Sequence, residues 1–395
     1  MAVISSPQER LLDELDEELR QRADAGLLRR SATIEAVRGA EARLDGRWVV
    51  NWCSNDFLGL SSHPALAQAA AEASVEFGVG ARGSRLLSGT TRWHTELEQR
   101  LAAWFGSAEA LVYPSGYQAN LGTLGALLSA GDAVFVDRLA HASVLDAARA
   151  TRATFRVFHH NDAEHLDTLL ARASSARRRL VVTEGVFSMD GDSPPLPALL
   201  QAAEAHRALV YLDDAHGAFI LGERGRGTPE AQGIAHERLI YMATLGKALG
   251  CQGGFIIGPQ PFVEHVRNTA RTFIYTTALA TPVAAAACAA LRLLKDDPQR
   301  RLRLAQQVAR LHGRLASTAN LSSSSRSHIV PIVVGGTQQA RQLSQALWDQ
   351  GIWAPAIRPP TVPEGTARLR LGVTALHTDE QIDRLVDLLA QELPQ

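Results

Sequence analysis

Short apolar runs alternate with longer helix-like stretches through the middle of this chain, and that rhythm restricts the fold more than any other feature. Runs at 110–113, 133–136, 180–183, 209–212, 239–243 and 255–257 have the length and apolar content of buried strands. Between them, stretches such as 117–128 and 196–206 carry apolar residues at helical spacing. Strand and helix in alternation predict an α/β domain with a mostly parallel sheet. The full 395 residues exceed what one small core needs, so more than one domain is expected.

From about residue 290 the pattern changes. A charged helix at 297–315 leads into a serine-rich turn at 322–327, then a strand at 329–334, a helix at 338–350, a strand at 368–371 and a helix at 379–391. This reads as a smaller α+β C-terminal domain. The expected division is an N-terminal helix and segment at 1–50, a large domain at 51–290 and a small domain at 291–395.

Charge and cysteine use exclude several classes. Forty basic against 41 acidic side chains leave a formal net charge of -1, which argues against a nucleic-acid or membrane-surface partner. Cys53, Cys251 and Cys288 are odd in number and far apart, so they make neither a metal-ligand spacing nor a disulfide framework. No metal is expected. Residues 1–22 mix acids and bases around Leu11, Leu12, Leu15 and Leu19, unlike a signal peptide. The most apolar stretch, 283–291, is too short to span a bilayer. A cytoplasmic protein is the expectation.

Four pieces sit at or just after expected strand ends, where α/β sheets place their ligands. In the first, a strand turns at Tyr113, Pro114 and Ser115 into a helix, and the backbone N–H groups of Gly116 and Tyr117 suit a phosphate. Glycine-containing junctions of this kind are common, so alone it says little. The second is Asp213-Asp214-Ala215-His216-Gly217: a strand-end aspartate can keep a pyridine nitrogen protonated, and a histidine three residues on can meet a phenolic oxygen. A helix-capping aspartate is the plainer alternative. In the third, Lys247 stands between Gly246 and Gly250 among small and apolar residues. Poor solvation there lowers its pKa and favours the neutral amine that attacks an aldehyde. The fourth is the loop 183–192, small and polar, in which Ser188 can hydrogen-bond a cofactor while the acids cap turns. A fifth motif, Gly78-Val79-Gly80-Ala81-Arg82-Gly83, has dinucleotide-site spacing but follows a helical pattern instead of a strand, which argues against a nicotinamide site.

Together these pieces resemble the α-oxoamine synthase family of fold-type I pyridoxal-phosphate enzymes, from about Arg29 to about Leu389. The resemblance is carried by 51–60, 85–90, 141–144, 183–192, 213–217 and 244–250, in that order. It implies a fold-type I transferase, with a mainly parallel seven-stranded sheet in the large domain and a smaller α+β C-terminal domain. The active site would lie at a homodimer interface. Pyridoxal phosphate would be held as a Schiff base on Lys247, which then serves as acid and base at the substrate α-carbon. Asp213 would pair with the pyridine nitrogen, His216 lie near the phenolic oxygen and His141 stack on the ring. Gly116, Tyr117, Ser188 and Thr244 would contact the cofactor. Asn55 and His141 are expected on the substrate, with Lys247, His141 and Asp213 as the catalytic set.

The run 356–371 is similar to the biotin-pathway branch of that family. This implies L-alanine and a pimeloyl thioester, carried by CoA or a carrier protein, joined with loss of carbon dioxide. Arg370 would hold the amino-acid carboxylate as a bidentate pair. Thr361 would contact the bound substrate, and Arg29, with Arg30 as the alternative, would meet the acyl chain. Arg358 and Arg368 read as well as plain surface or interface charges as they do as site residues. A sister synthase using glycine and acetyl-CoA is the alternative. Ala81-Arg82 and Cys251-Gln252 depart from the smaller residues usual in relatives, and Arg82 is expected to affect the phosphate approach or a dimer contact.

Overall fold

The computed structural model describes residues 6–318, 321 and 323–393, so Ser322 of the expected serine-rich turn and the first five residues of the N-terminal reading lie outside it. An N-terminal meander holds β1 (Ala36–Arg38), β2 (Glu41–Leu44) and β3 (Arg47–Asn51). The central sheet holds β4 (Glu109–Tyr113), β5 (Ala133–Asp137), β6 (Thr154–Phe158), β7 (Arg179–Glu184), β8 (Leu209–Asp213), β9 (Ile240–Thr244) and β10 (Gly254–Gly258). The C-terminal part adds β11 (Ile329–Gly335), β12 (Ile352–Trp353), β13 (Ala356–Ile357) and β14 (Ala367–Gly372).

The central strands read as near-continuous apolar runs because both faces of the sheet are covered. Successive side chains alternate between two cores. Ala133, Phe135, Val181, Val210 and Leu212 face one apolar cluster; Val134, Val136, Leu180, Val182 and Tyr211 face the other. The sheet has seven strands in the order β4-β10-β9-β8-β7-β5-β6. All pairings are parallel except those of β10, which runs antiparallel to both β4 and β9. One strand escaped the apolar-run reading. β6 is an edge strand paired only to β5, and its Thr154, Arg156 and Val157 are exposed, so it lacks the apolar continuity of its neighbours.

Parallel strands place their carboxyl ends along one edge of the sheet, and His141, Ser188, Asp213 and Lys247 follow β5, β7, β8 and β9 there. The helix Gly116–Leu127 starts at the same edge, with Ser115 as its N-cap accepting from Gln118 N–H at 3.2 Å. Gly254 makes this possible: a Cβ there would lie 2.6 Å from the Gly116 Cα.

In the C-terminal part, β11-β14-β13 form an antiparallel sheet covered by the helices Gln299–Ala316, Thr337–Asp349 and Asp379–Glu392. β12 pairs in parallel with β3, so the N-terminal meander joins the C-terminal elements in one sheet. Among the described residues no helix is long and apolar enough to cross a membrane.

Candidate active site

The end of β8 sets two adjacent aspartates on opposite faces. Asp213 turns toward a cavity, where its Oδ2 accepts from Asn120 Nδ2 at 2.7 Å and its Oδ1 from Ala215 N–H at 3.1 Å. Asn120 is itself held, since Tyr211 Oη donates to its Oδ1 at 2.7 Å and its Nδ2 also reaches Ser143 Oγ at 2.8 Å. No basic side chain is hydrogen-bonded to Asp213 among the described residues, so its charge is directed by neutral donors only. Asp214 points the other way, accepting from Thr228 N–H, Thr228 Oγ1 and Tyr241 Oη at 2.7–2.9 Å. Burial pushes its carboxyl up to about 7. These bonds make Asp214 a turn lock, held so close to Gly185 that a Cβ there would come within 1.9 Å of its Oδ1.

Lys247 sits in the turn after β9, with Nζ 2.8 Å from His216 Nε2. Burial lowers its ammonium to about 8, against the opposing pull of Asp213 and Glu184 and with some help from Arg370. His216 is driven well below the usual imidazole range by burial and by the Lys247 charge, so its ring is neutral. Its Nδ1 is buried without a hydrogen-bond partner among the described residues. Thr244 shapes the turn: Oγ1 donates to Gly253 carbonyl at 2.7 Å and accepts from Gly246 N–H at 3.1 Å. Gly250, at φ 62°, closes it where a Cβ would lie 2.3 Å from Ser61 N.

His141 caps the helix Ala142–Ala150, its Nδ1 accepting from Ser143 N–H at 3.2 Å and lying 2.8 Å from Ser143 Oγ. Its backbone N–H donates to Glu184. Burial, opposed by Asp213, lowers the His141 imidazole. Burial and the neighbouring Asp213 charge push the Glu184 carboxyl well up. Asn120 and Ser143 have no assigned role in the sequence reading, and Glu184 stands there only among the turn-capping acids. The signal was weak, because a helical asparagine shows its direction only once the helix is packed.

All the residues expected on the cofactor line one cavity of about 190 Å³. Lys247, Asp213, His216 and His141 surround it, with Gly116 and Tyr117 at the helix start and Ser188 and Thr244 completing the wall. The residues present fit pyridoxal phosphate. A fixed carboxylate, a lysine amine, the neutral imidazole beside that amine and the amides heading a helix match its ring nitrogen, aldehyde, phenolic oxygen and phosphate.

The residues expected on substrate do not line that cavity, apart from His141. Arg370, on β14, donates Nε to Ser188 carbonyl at 2.5 Å and Nη2 to Asn55 Oδ1 at 3.1 Å. It is 7% exposed, and burial lowers it to about 10, so it stays a cation at neutral pH. Arg29 Nη2 donates to Thr361 Oγ1 at 2.9 Å, whereas Arg30 lines a different pocket with Arg341 and Arg358. Arg358 donates to Gly26 carbonyl. Arg368 is no surface charge: it is 4% exposed and pairs with Asp190 at 2.6 Å.

The glycine motif at 78–83 follows the helix Pro64–Phe77, the context a dinucleotide site does not have. Arg82 Nη2 turns back to Phe77 carbonyl at 2.8 Å. Among the described residues one group, His159, Asp162 and His165, brings metal-ligand atoms within 4.8 Å of one another. None of the three lines the cavity, and His165 Nδ1 already accepts from His159 N–H at 3.0 Å.

A lysine amine and an oriented aspartate facing one cavity, at the carboxyl edge of a mainly parallel sheet, define a fold-type I pyridoxal-phosphate enzyme. The sequence matches the aminotransferase class I and II family over residues 47–389. It is 47% identical to the 8-amino-7-oxononanoate synthase of Chromobacterium violaceum, covering 96% of each chain, and 45% identical to that of Methylobacillus flagellatus at the same coverage. Among solved structures, serine palmitoyltransferase of Sphingomonas wittichii matches with a TM-score of 0.90 at 31% identity, over 98% of both chains. The 8-amino-7-oxononanoate synthase of Francisella tularensis matches with a TM-score of 0.76 at 27% identity, over 87% of this chain and 97% of that one. The chain belongs to the class I and II aminotransferase family, and within it to the 8-amino-7-oxononanoate synthases. Enzymes with different names share the backbone, so sequence identity and not TM-score separates the branches.

Proposed function

We propose that this enzyme joins L-alanine to a pimeloyl thioester with loss of carbon dioxide, giving 8-amino-7-oxononanoate and a free thiol for biotin biosynthesis. The observation that carries this reading is Lys247, an amine lowered to about 8, in one cavity with the Asn120-oriented Asp213. Pyridoxal phosphate is the cofactor, and when bound it supplies an electron sink for charge developing at the substrate α-carbon.

The chain's own groups supply the rest. Asp213 would hold the proton on the pyridine nitrogen, His216 would meet the phenolic oxygen and His141 would lie against the ring. The amides of Gly116 and Tyr117 would receive the phosphate, beside Ser188 and Thr244. Lys247 Nζ takes a proton from the alanine α-carbon and later returns one to the product carbon. Arg370 binds the alanine carboxylate with the N–H groups not spent on Ser188 and Asn55. Arg29 and Thr361, already joined, hold the acyl chain, and His141 polarises the thioester carbonyl. The exposed apolar side chains Leu86, Leu87 and Tyr275 support a homodimer, and the chemistry suits the cytoplasm.

Supplied with alanine and pimeloyl-CoA, the purified holoenzyme should release carbon dioxide and thiol in equal amounts. Lys247→Ala should abolish both. Faster turnover with glycine and acetyl-CoA would favour the sister activity, and a pimeloyl carrier protein assayed in parallel decides between the two thioesters.

A further inference from the structure

The loop 187–192 stands between two parts of the molecule. On one side, β14 grips it: Arg370 Nε donates to Ser188 carbonyl at 2.5 Å, and Arg368 Nη1 donates to Asp190 Oδ1 at 2.6 Å and Met189 carbonyl at 3.2 Å. The loop is closed on itself by Phe187 N–H to Asp192 carbonyl and Gly191 N–H to Phe187 carbonyl, each at 2.9 Å. These bonds make it a compact turn, gripped by β14 on one side and held at Asp192 on the other.

That hold comes from the residues just beyond the edge strand β6. His160 Nδ1 lies 2.9 Å from Asp137 Oδ1, and its Nε2 lies 2.8 Å from Asp192 Oδ2. Asn161, at φ 57°, adds N–H to Asp137 Oδ2 at 2.9 Å and Nδ2 to Asp192 Oδ2 at 2.8 Å. Asp137 is fully buried at the end of β5, so the bridge is rooted in the sheet. The His160 ring also stands edge-on to Phe187, with centroids 4.4 Å apart. Both ring nitrogens face carboxylate oxygens, and only the doubly protonated ring can donate to both. Burial opposes that charge, but the two carboxylates outweigh it and push the imidazolium up to about 10.

We propose that His160 is a positioning residue for the amino-acid substrate: by bridging Asp137 to Asp192 it fixes the loop that presents Ser188 carbonyl to Arg370. With Nε on Ser188 and Nη2 on Asn55, the direction of the remaining Arg370 N–H groups depends on where that carbonyl lies. A small displacement of the loop turns the fork away from the substrate carboxylate, and misplacements of about 1 Å at a binding group cost up to ~100-fold in rate. His160 does not line the cavity, so it acts only through the loop. The inference rests on the reading of Arg370 as the carboxylate ligand.

The test uses holoenzyme carrying His160→Gln, Asp192→Asn or Arg370→Ala, with alanine affinity read from the cofactor absorbance change. Pimeloyl-CoA KM, cofactor occupancy and melting temperature are measured alongside. We expect His160→Gln and Asp192→Asn to weaken alanine binding by about tenfold, the loss of one charge-assisted hydrogen bond, while pimeloyl-CoA KM and cofactor occupancy stay within about twofold. Asp192→Asn keeps the Asp137–His160 half of the bridge, so it remains informative if His160→Gln does not fold. If Arg370→Ala weakens alanine and Asp192→Asn does not, the bridge has no such role although the Arg370 reading stands. If Arg370→Ala leaves alanine affinity unchanged, both ideas are wrong. Equal losses for alanine, thioester and cofactor would mean a general structural role and also overturn the proposal.

Discussion

Burial draws the Lys247 ammonium down to about 8, while the Asp213 carboxylate pulls the other way. The neutral amine is the form that captures an aldehyde, so cofactor-free enzyme should take up pyridoxal phosphate faster as pH rises, by ~tenfold per unit below about 8 and little above it. Stopped-flow absorbance checks this. Removing the opposing charge in Asp213→Asn should move the inflection to lower pH; an unchanged or alkaline inflection would contradict the assigned cause. Asn120→Ala should be costly for a different reason. It strands the buried Tyr211 hydroxyl and frees one Asp213 oxygen, for a loss of roughly 1–3 kcal/mol visible in thermal melting. Lys247 and Asp213 were legible in the sequence because strand-end position and small neighbours are local features. Asn120 was not, since nothing within its own helix says that it faces a residue 93 positions away.

Elements are tied together by buried ion pairs as well as apolar layers. Arg85, in one of the family-like stretches, donates to both Glu98 oxygens at 2.8 and 2.9 Å, and Glu98 Oε1 also takes Val112 N–H at 2.9 Å. The side chains are 4% and 12% exposed, so the pair pins the helix Arg92–Phe105 to β4 without solvent screening. Glu98→Ala should leave Arg85 buried and unpaired and cost roughly 3–5 kcal/mol in urea unfolding; a change under ~1 kcal/mol would mean that water reaches the site. At this scale the central strands were readable, because burial on both faces writes an apolar run into each. β6 was not, because an edge strand with one neighbour needs no such run.

Across the whole molecule, His160 links folding to pH. Its folded imidazolium persists to about 10, far above the ordinary value of 6.5. A group whose folded pKa is raised stabilises fully below the unfolded value and loses that contribution as pH rises through the folded one. The melting-temperature gap between wild type and His160→Gln should therefore be largest near pH 6 and shrink toward about 10. A gap that is constant or widens with pH would show that the bridge is not ionic. Arg368 completes the picture from the other side: its ion pair with Asp190 ties β14 to the same loop, a role that charge reading alone left open.

The sequence by itself determined the alternation of strands and helices and the mainly parallel sheet, together with the strand-end places of Lys247, Asp213 and His216. These follow from periodicity and short spacing, which a linear chain displays directly. Tertiary structure alone decided that β10 enters antiparallel between β4 and β9, and that β3 pairs with β12 far along the chain. It also decided which partners orient the chemistry: Asn120 on Asp213, Ser188 on Arg370 across 182 positions, and His160 between two aspartates. Such contacts depend on how packed layers register against one another. No local pattern encodes that registration, because it is settled by side-chain volume and burial once the layers meet.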